Sequence, residues 1–354
     1  MTASVHTHRF CVAPMMDGTD RHCRYFHRLM SRHARLYTEM VTADAVVHGD
    51  RDYLLGFCDE EHPVALQLGG SDPATLAQAA SIGADHGYDE INLNVGCPSD
   101  RVQSGAFGAC LMKTPTLVAD CVAAMRATSS VPITVKCRLG VDDQDPAQTL
   151  FPFIETVANA GCHLFIIHAR KAWLKGLSPK ENRTVPPLDY DVVRAVKTHF
   201  ANLTILLNGG LETVGHAHSE MTKALNPAST DENGNEQTGL DGVMLGRAPY
   251  ANPWLLSEVD PFFFSSPPAA ASRQEVVHRM QDYVDRMVRD NTVKPHAITR
   301  HMLGLFSGQR GARHWRQALS RHGRNTPPDI LTTTLATMPP AAEPAAPSAR
   351  TALA

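Results

Sequence analysis

The run Asn94-Val95-Gly96-Cys97-Pro98-Ser99 places a thiol in a turn bounded by glycine and proline, whereas Cys11 and Cys137 lie in apolar runs as small core residues. A thiol so placed has three readings: nucleophile, proton donor or inert side chain. A nucleophile needs a base beside it, and His168 is two strands away, so spacing leaves all three open. Lys136 ends another apolar run, and an ammonium buried there requires an anionic or acceptor partner. Asn208-Gly209-Gly210 and Gly246-Arg247 combine glycines, which let backbone N–H groups approach an anion, with a guanidinium that can pair with it. The same residues also make ordinary turns. His216-x-His218 has no cysteine pair nearby, so no metal site is expected.

Side chains this far apart need a scaffold that gathers strand ends. Apolar runs of strand length occur at Phe10 to Ala13, Leu36 to Val41, Pro63 to Leu68, Glu90 to Val95, Ile133 to Cys137, Leu164 to Ile167, Thr204 to Leu207 and Gly242 to Leu245. Segments of helical spacing separate most of them, such as Asp72 to Ala84 and Thr116 to Thr128, where Leu117, Val118, Cys121, Val122 and Met125 recur every three to four residues. Strand alternating with helix predicts parallel strands joined by crossovers, and eight such units over about 250 residues predict a (β/α)8 barrel. The alternative is an open doubly wound sheet, but no G-x-G-x-x-G occurs in the chain. Barrel active sites form at the C-terminal ends of the strands, where the residues singled out above lie. The ends of strands seven and eight are where barrels commonly hold phosphate, which favours that reading of the two glycine-containing turns.

The 354 residues are 43% hydrophobic and 19% charged, which excludes wholesale disorder and collagen-like classes. No apolar run reaches 18 residues and Met1 to His8 is polar, so neither a membrane span nor a secretory signal is expected, and the cytoplasm is the expected location. Eight cysteines without C-x-x-C spacing predict reduced thiols.

Past the barrel, Pro253 to Pro268 reads as a boundary linker packed on it. Ser272 with Glu275 predicts a capping box, and Val276, Val277, Met280, Tyr283, Val284, Met287 and Val288 form one apolar helical face. The expected organisation is a catalytic barrel over 1–260, a helical domain over 270–325 and a disordered Ala- and Pro-rich tail over 337–354. Residues 226–240 read as a mobile surface insertion.

Lys and Arg number 33 against 36 Asp and Glu, a net charge of −3 that on average disfavours nucleic-acid binding. The average conceals the segment from Asn291 to Pro328, which has no acid but contains Lys294, Arg300, Arg310, Arg313, Arg316, Arg321 and Arg324. A second basic stretch, Arg170, Lys171, Lys175, Lys180 and Arg183, includes only Glu181 against it. Charge runs are usually solvated faces, but two of them, one beside the expected site and one in a separate helical unit, predict contact with a phosphate backbone.

The strings APMMDGTDRHCRYFHR (13–28), LYTEMVTADAVVHG (36–49), VALQLGG (64–70), YDEINLNVGCPSDRVQSGAFGACLM (88–112), VKCRLGVDD (135–143), HARKAWLKGLSPKENRTVPPLDY (168–190), DGVMLGR (241–247) and TRHMLGLFSGQRGARHW (299–315) resemble the tRNA-dihydrouridine synthases, specifically the A type. The resemblance runs from about residue 9 to 320. It implies a barrel that binds FMN at its C-terminal face, uses NADPH as reductant and reduces D-loop uridines of tRNA at positions 20 and 20a. Carried over by motif, Pro14, Met15, Met16, Gln67, Lys136, His168, Asn208, Gly209, Gly210, Gly246 and Arg247 bind FMN. Cys97 becomes the proton donor and Asn94 contacts the extruded uridine. Lys180, Arg183 and Arg300 are the expected tRNA contacts, reaching the D-loop and elbow. A monomer without protein partners is expected. Gly18 departs from the family pattern, which usually has an aromatic there. Two other functions are weighed against this one: an FMN barrel oxidoreductase acting on a free metabolite such as dihydroorotate, which leaves both basic stretches without a purpose, and a tRNA-binding protein without catalysis.

Overall fold

A computed structural model of the chain describes residues 8–99, 107–225, 239–289 and 293–339. Eight parallel strands close on themselves in sequence order: β1 (Phe10–Val12), β2 (Arg35–Thr42), β3 (Val64–Gly69), β4 (Glu90–Val95), β5 (Ile133–Arg138), β6 (Leu164–His168), β7 (Thr204–Asn208) and β8 (Gly242–Leu245). β1 pairs with β8 through Phe10 and Val243, Cys11 and Met244, and Val12 and Leu245, which completes the barrel. The expected (β/α)8 architecture is therefore the one observed, with strand ends within about two residues of the apolar runs.

Burial on both faces makes these strands legible. Outward residues such as Ile91, Leu93 and Val95 join the large core between strands and helices. A separate cluster of Cys11, Ala13, Tyr37, Ala65, Leu164, Ile166, Leu206 and Met244 fills the interior. The helices begin where short polar side chains bond orphan N–H groups: Asp72 caps Pro73–Asp85, Asp145 caps Pro146–Asn159 and Asp189 caps Tyr190–His199. Proline at the start of the first two fits a position with no N–H to satisfy.

The segment expected as a linker is itself helical, a 3-10 turn Pro253–Glu258 followed by a helix Val259–Phe264. Phe263 is buried 5.2 Å from the Phe10 ring, and the fully buried Asp260 accepts from the Ser31 hydroxyl and the Arg32 N–H. Those contacts need order, which a loose connection would not supply. The helix Arg273–Arg289 then docks on the barrel helix Arg21–Arg28: Tyr283 stacks on Tyr25 at 4.0 Å and its hydroxyl meets His22 Nδ1 at 2.8 Å. Ser272 accepts from the Glu275 N–H, while Glu275 reaches back to the N–H of Ala271, one residue earlier than the predicted box. Helices continue beyond residue 325: Ile330–Ala336 buries Ile330, Leu331 and Thr334, whose spacing lays one face on the preceding helices. Residues 226–238 of the predicted insertion and 340–354 of the predicted tail lie outside the described residues. Among the described residues, no helix is long and apolar enough to cross a membrane.

Candidate active site

The C-terminal ends of the strands bring most of the predicted site residues to one mouth. Cys97 follows β4 by two residues, and its loop is held from three sides. Asn94 Oδ1 accepts from the N–H groups of Gly96 and Cys97 at 3.0 and 2.9 Å, the Cys97 carbonyl accepts from the Ala109 N–H, and Arg138 Nε donates to the Gly96 carbonyl at 3.1 Å. Cys97 is half-buried, with its Sγ 3.6 Å from the Ser99 hydroxyl. Burial pushes the thiols of Cys11, Cys23, Cys58, Cys110, Cys121, Cys137 and Cys162 above their ordinary value, Cys137 and Cys162 to about 12.

Lys136 pairs in register with Asn94 on β4 and Ile166 on β6. Burial and then the Arg138 guanidinium bring its ammonium down to about 8. No carboxylate among the described residues forms an ion pair with it. His168 at the end of β6 is held neutral, its imidazole pushed well below the ordinary value by burial and by Arg138, Lys136, Arg170 and Arg247. Its Nδ1 is buried without a hydrogen-bond partner. Gly209 and Gly210 adopt φ of +110° and +70°, and a Cβ at Gly209 would sit 3.0 Å from the His168 ring, so backbone and imidazole adjoin without a side chain between them. Arg247, at the start of the helix after β8, reaches the Arg183 carbonyl at 3.4 Å. Mutually repelling cations around an unpartnered imidazole nitrogen and two glycines form a cradle that fits an anion.

The remaining predicted residues divide. Gln67 and Asn94 are buried and bonded to each other, Asn94 Nδ2 donating to Gln67 Oε1 at 2.8 Å. Asn94 therefore has only its second amide hydrogen left for a ligand. Asn208 donates to the Met244 carbonyl, tying β7 to β8. Pro14 and Met15 line the turn after β1, where the Met15 carbonyl accepts from Gly18 and Thr19, while Met16 is 60% exposed. A Cβ at Gly246 would touch nothing closer than 3.5 Å, so space does not demand glycine there. A Cβ at Gly18 would lie 3.0 Å from Met15 Cβ and 3.7 Å from the Tyr250 ring, so an aromatic there requires Met15 to shift.

Lys180 and Arg183 are exposed on the segment after β6. That segment is organised by two residues missing from the predicted site. Asn182 is fully buried, accepting from the Trp173 N–H at 2.7 Å and donating to the Trp173 and Leu177 carbonyls. Arg138 donates to the Lys171 and Asn182 carbonyls as well as to Gly96, joining the basic segment to the Cys97 loop. An arginine ending the same strand as Lys136 was the available signal. Asn182 offered none.

Arg300 does not stand free. Its Nη2 donates to Asp20 Oδ2 at 2.7 Å, beside His301 Nε2 at 3.0 Å, while Asp20 Oδ1 caps the helix Arg21–Arg28. The other six cations of that segment, Lys294, Arg310, Arg313, Arg316, Arg321 and Arg324, are exposed. A cleft lined by Tyr250, Arg300, Ser307 and Arg316 separates the C-terminal helices from the helix after β8.

The sequence profile described as dihydrouridine synthase (Dus) matches residues 11–337, the barrel and the C-terminal helices together. The chain belongs to the dihydrouridine synthase family. It is 54% identical over 323 residues to the tRNA-dihydrouridine(20/20a) synthase of Escherichia coli strain K12, covering 91% of this chain and 88% of that one. It is 53% identical over 318 residues to the protein of the same name from Vibrio cholerae, covering 90% and 92%. Among solved structures it is similar to a morphinone reductase, with a TM-score of 0.48 and 13% identity over 76% of this chain and 88% of that one.

Proposed function

We propose that this chain reduces D-loop uridines of tRNA, at positions 20 and 20a, to 5,6-dihydrouridine, with FMN as bound cofactor and NADPH as reductant. Relatives more than half identical along nearly their whole length have that activity in their names. The observation that carries the reading is the sharing of one mouth by the anion cradle of His168, Gly209, Gly210 and Arg247, the uncompensated Lys136 and the Cys97 loop.

The cradle suits the phosphate of FMN, with Pro14, Met15, Met16, Gln67, Asn208 and Gly246 around the rest of the cofactor. Bound FMN supplies the hydride that reaches uracil C6. Lys136, buried with no carboxylate among the described residues paired to it, would hold the cofactor and offset the negative charge that develops on it. The uracil C5=C6 bond is conjugated to the C4 carbonyl, so charge develops there and C5 must take a proton. Cys97 would donate it, its thiol held beyond β4 in the loop that Asn94 and Arg138 fix. Asn94 meets the extruded base with its remaining amide hydrogen.

Lys180, Arg183 and the exposed cations of the C-terminal helices, which we read as the tRNA-binding domain, hold the phosphate backbone. Arg300 serves this set by placement: held by Asp20, it lines the cleft beside Arg316 and itself meets no phosphate. A tRNA substrate supports the cytoplasm as the protein's location.

The deciding test is anaerobic: protein reduced by NADPH is mixed with tRNA lacking dihydrouridine, and the oxidised-flavin absorbance is followed. Reoxidation by that tRNA, but not by free uridine or fully modified tRNA, is expected. Reduction without reoxidation points to a free-metabolite acceptor, and a colourless protein that binds tRNA points to a non-catalytic binder.

A further inference from the structure

The barrel interior contains a polar column whose lower half, Glu90, Thr134 and Asn92, has no part in the reaction just described. Glu90 opens β4 at the end of the barrel away from the mouth, about 13 Å below Asn94 at the rise of a strand. Its carboxylate is fully buried and accepts from Thr134 Oγ1 at 2.6 Å and from the Tyr37 hydroxyl at 2.8 Å; His8 Nε2 lies at 2.6 Å and Arg35 at 3.4 Å. Burial pushes the carboxyl up, but His8, Arg35 and the Thr134 bond outweigh it and hold it at about 2. The group is ionised.

From there a single row of hydrogen bonds climbs to the site. Asn92 Nδ2 donates to Thr134 Oγ1, Gln67 Nε2 to Asn92 Oδ1 and Asn94 Nδ2 to Gln67 Oε1, each at 2.8 Å. Asn94 Oδ1 then accepts from the Gly96 and Cys97 N–H groups. Every member is buried. The direction of each link is forced. A carboxylate only accepts, so Thr134 must give it its one hydrogen and accept from Asn92. Asn92 must then turn its oxygen to Gln67, and Gln67 its oxygen to Asn94. Backbone N–H groups only donate, so Asn94 must turn its oxygen to the Cys97 loop. Both ends demand the same polarity, and each bond makes the next acceptor stronger.

We propose that Glu90 is a positioning residue: through Thr134, Asn92, Gln67 and Asn94 it fixes which atoms Gln67 and Asn94 present at the mouth and tightens the hold on the Cys97 backbone. The use of that positioning in uridine reduction rests on the function proposed above; the coupling of Glu90 to the Cys97 loop does not.

Thr134→Val cuts the row while leaving Glu90 with His8, Arg35 and Tyr37, and Thr134→Ser restores the hydroxyl. The first readout is the rate at which iodoacetamide alkylates Cys97 in flavin-free protein, followed by mass spectrometry of the Cys97 peptide. Thr134→Val should alkylate about fivefold faster, the factor carried by one net hydrogen bond, and Thr134→Ser at the parent rate. In flavin-loaded protein, Thr134→Val should shift the visible flavin spectrum and lower kcat for tRNA more than it raises KM, whereas a purely structural loss would lower only the thermal midpoint. If Thr134→Val does not fold, Glu90→Gln takes its place, with a smaller acceleration expected. A folded variant whose Cys97 alkylates at the parent rate, or a Thr134→Ser variant as fast as Thr134→Val, overturns the proposal. Failure of the tRNA reading shows separately, in the parent protein.

Discussion

Lys136 and Cys97 carry the sharpest single-residue consequences. Lys136 titrates near 8 in the fold against 10.5 for an exposed lysine. Between those values the unfolded chain holds the proton and the folded chain has released it, so stability rises with pH across that window and Lys136 is destabilising below it. Lys136→Met should therefore raise the thermal midpoint of flavin-free protein at pH 7, with the advantage fading by about pH 10.5. The same change should weaken FMN binding about tenfold or more, as loss of a charge-assisted hydrogen bond does. Calorimetry and FMN titration check the pair, and unchanged FMN affinity would remove Lys136 from the cofactor site. Cys97→Ala should leave flavin content and NADPH reduction intact and slow single-turnover tRNA reduction by about 10²-fold or more, the scale of general-acid catalysis. Equal turnover would take the donor role from Cys97. Turn position and strand end singled these two residues out, while the donor role of Cys97 came only with the family resemblance; the partnerships of Asn94 were not legible, since an asparagine can face a ligand or a loop and only the geometry shows its oxygen bonded to Gly96 and Cys97.

At the scale of elements, the strands were readable because a parallel barrel buries both faces, so each strand is a compact run with a turn beyond it. The run Glu90 to Val95 was found by its apolar half; its polar half, Glu90, Asn92 and Asn94, alternates inward and forms the buried column. The segment after β6 was legible only as a charge count. Its shape depends on Asn182, whose amide replaces the missing ladder for Trp173 and Leu177. Asn182→Ala should cost about 1–3 kcal/mol locally, since it leaves buried backbone groups unpaired. Hydrogen exchange should accelerate across 170–186 and KM for tRNA should rise while flavin content stays at the parent level. Parent-like exchange in that segment would show that Arg138 and the backbone suffice to hold it.

Over the whole molecule, the charge asymmetry foreseen from composition survives, but one of its members changes place. Arg300 is joined with His301 to Asp20, a contact spanning 280 residues that local pattern cannot reveal. Burial opposes ionisation of Asp20, yet His301, the Cys23 N–H and Arg300 hold its carboxyl well below the usual range. A depressed carboxylate contributes stability that is present above about 3.8 and is lost as pH falls below it. Asp20 also begins the helix on which Tyr283 stacks, so this clasp joins the barrel to its C-terminal helices. Arg300→Ala should therefore act on docking: a lower thermal midpoint and a smaller loss of stability on acidification, with the slope of log K for tRNA against log salt nearly unchanged. Arg313→Ala and Arg316→Ala should do the reverse, keeping the midpoint and flattening the salt slope by about one for each phosphate contact removed. Binding titrations at several salt concentrations separate the two classes. A flattened slope for Arg300→Ala would mean that tRNA draws the guanidinium away from Asp20, which would make the clasp a contact exchanged on binding instead of one retained through it.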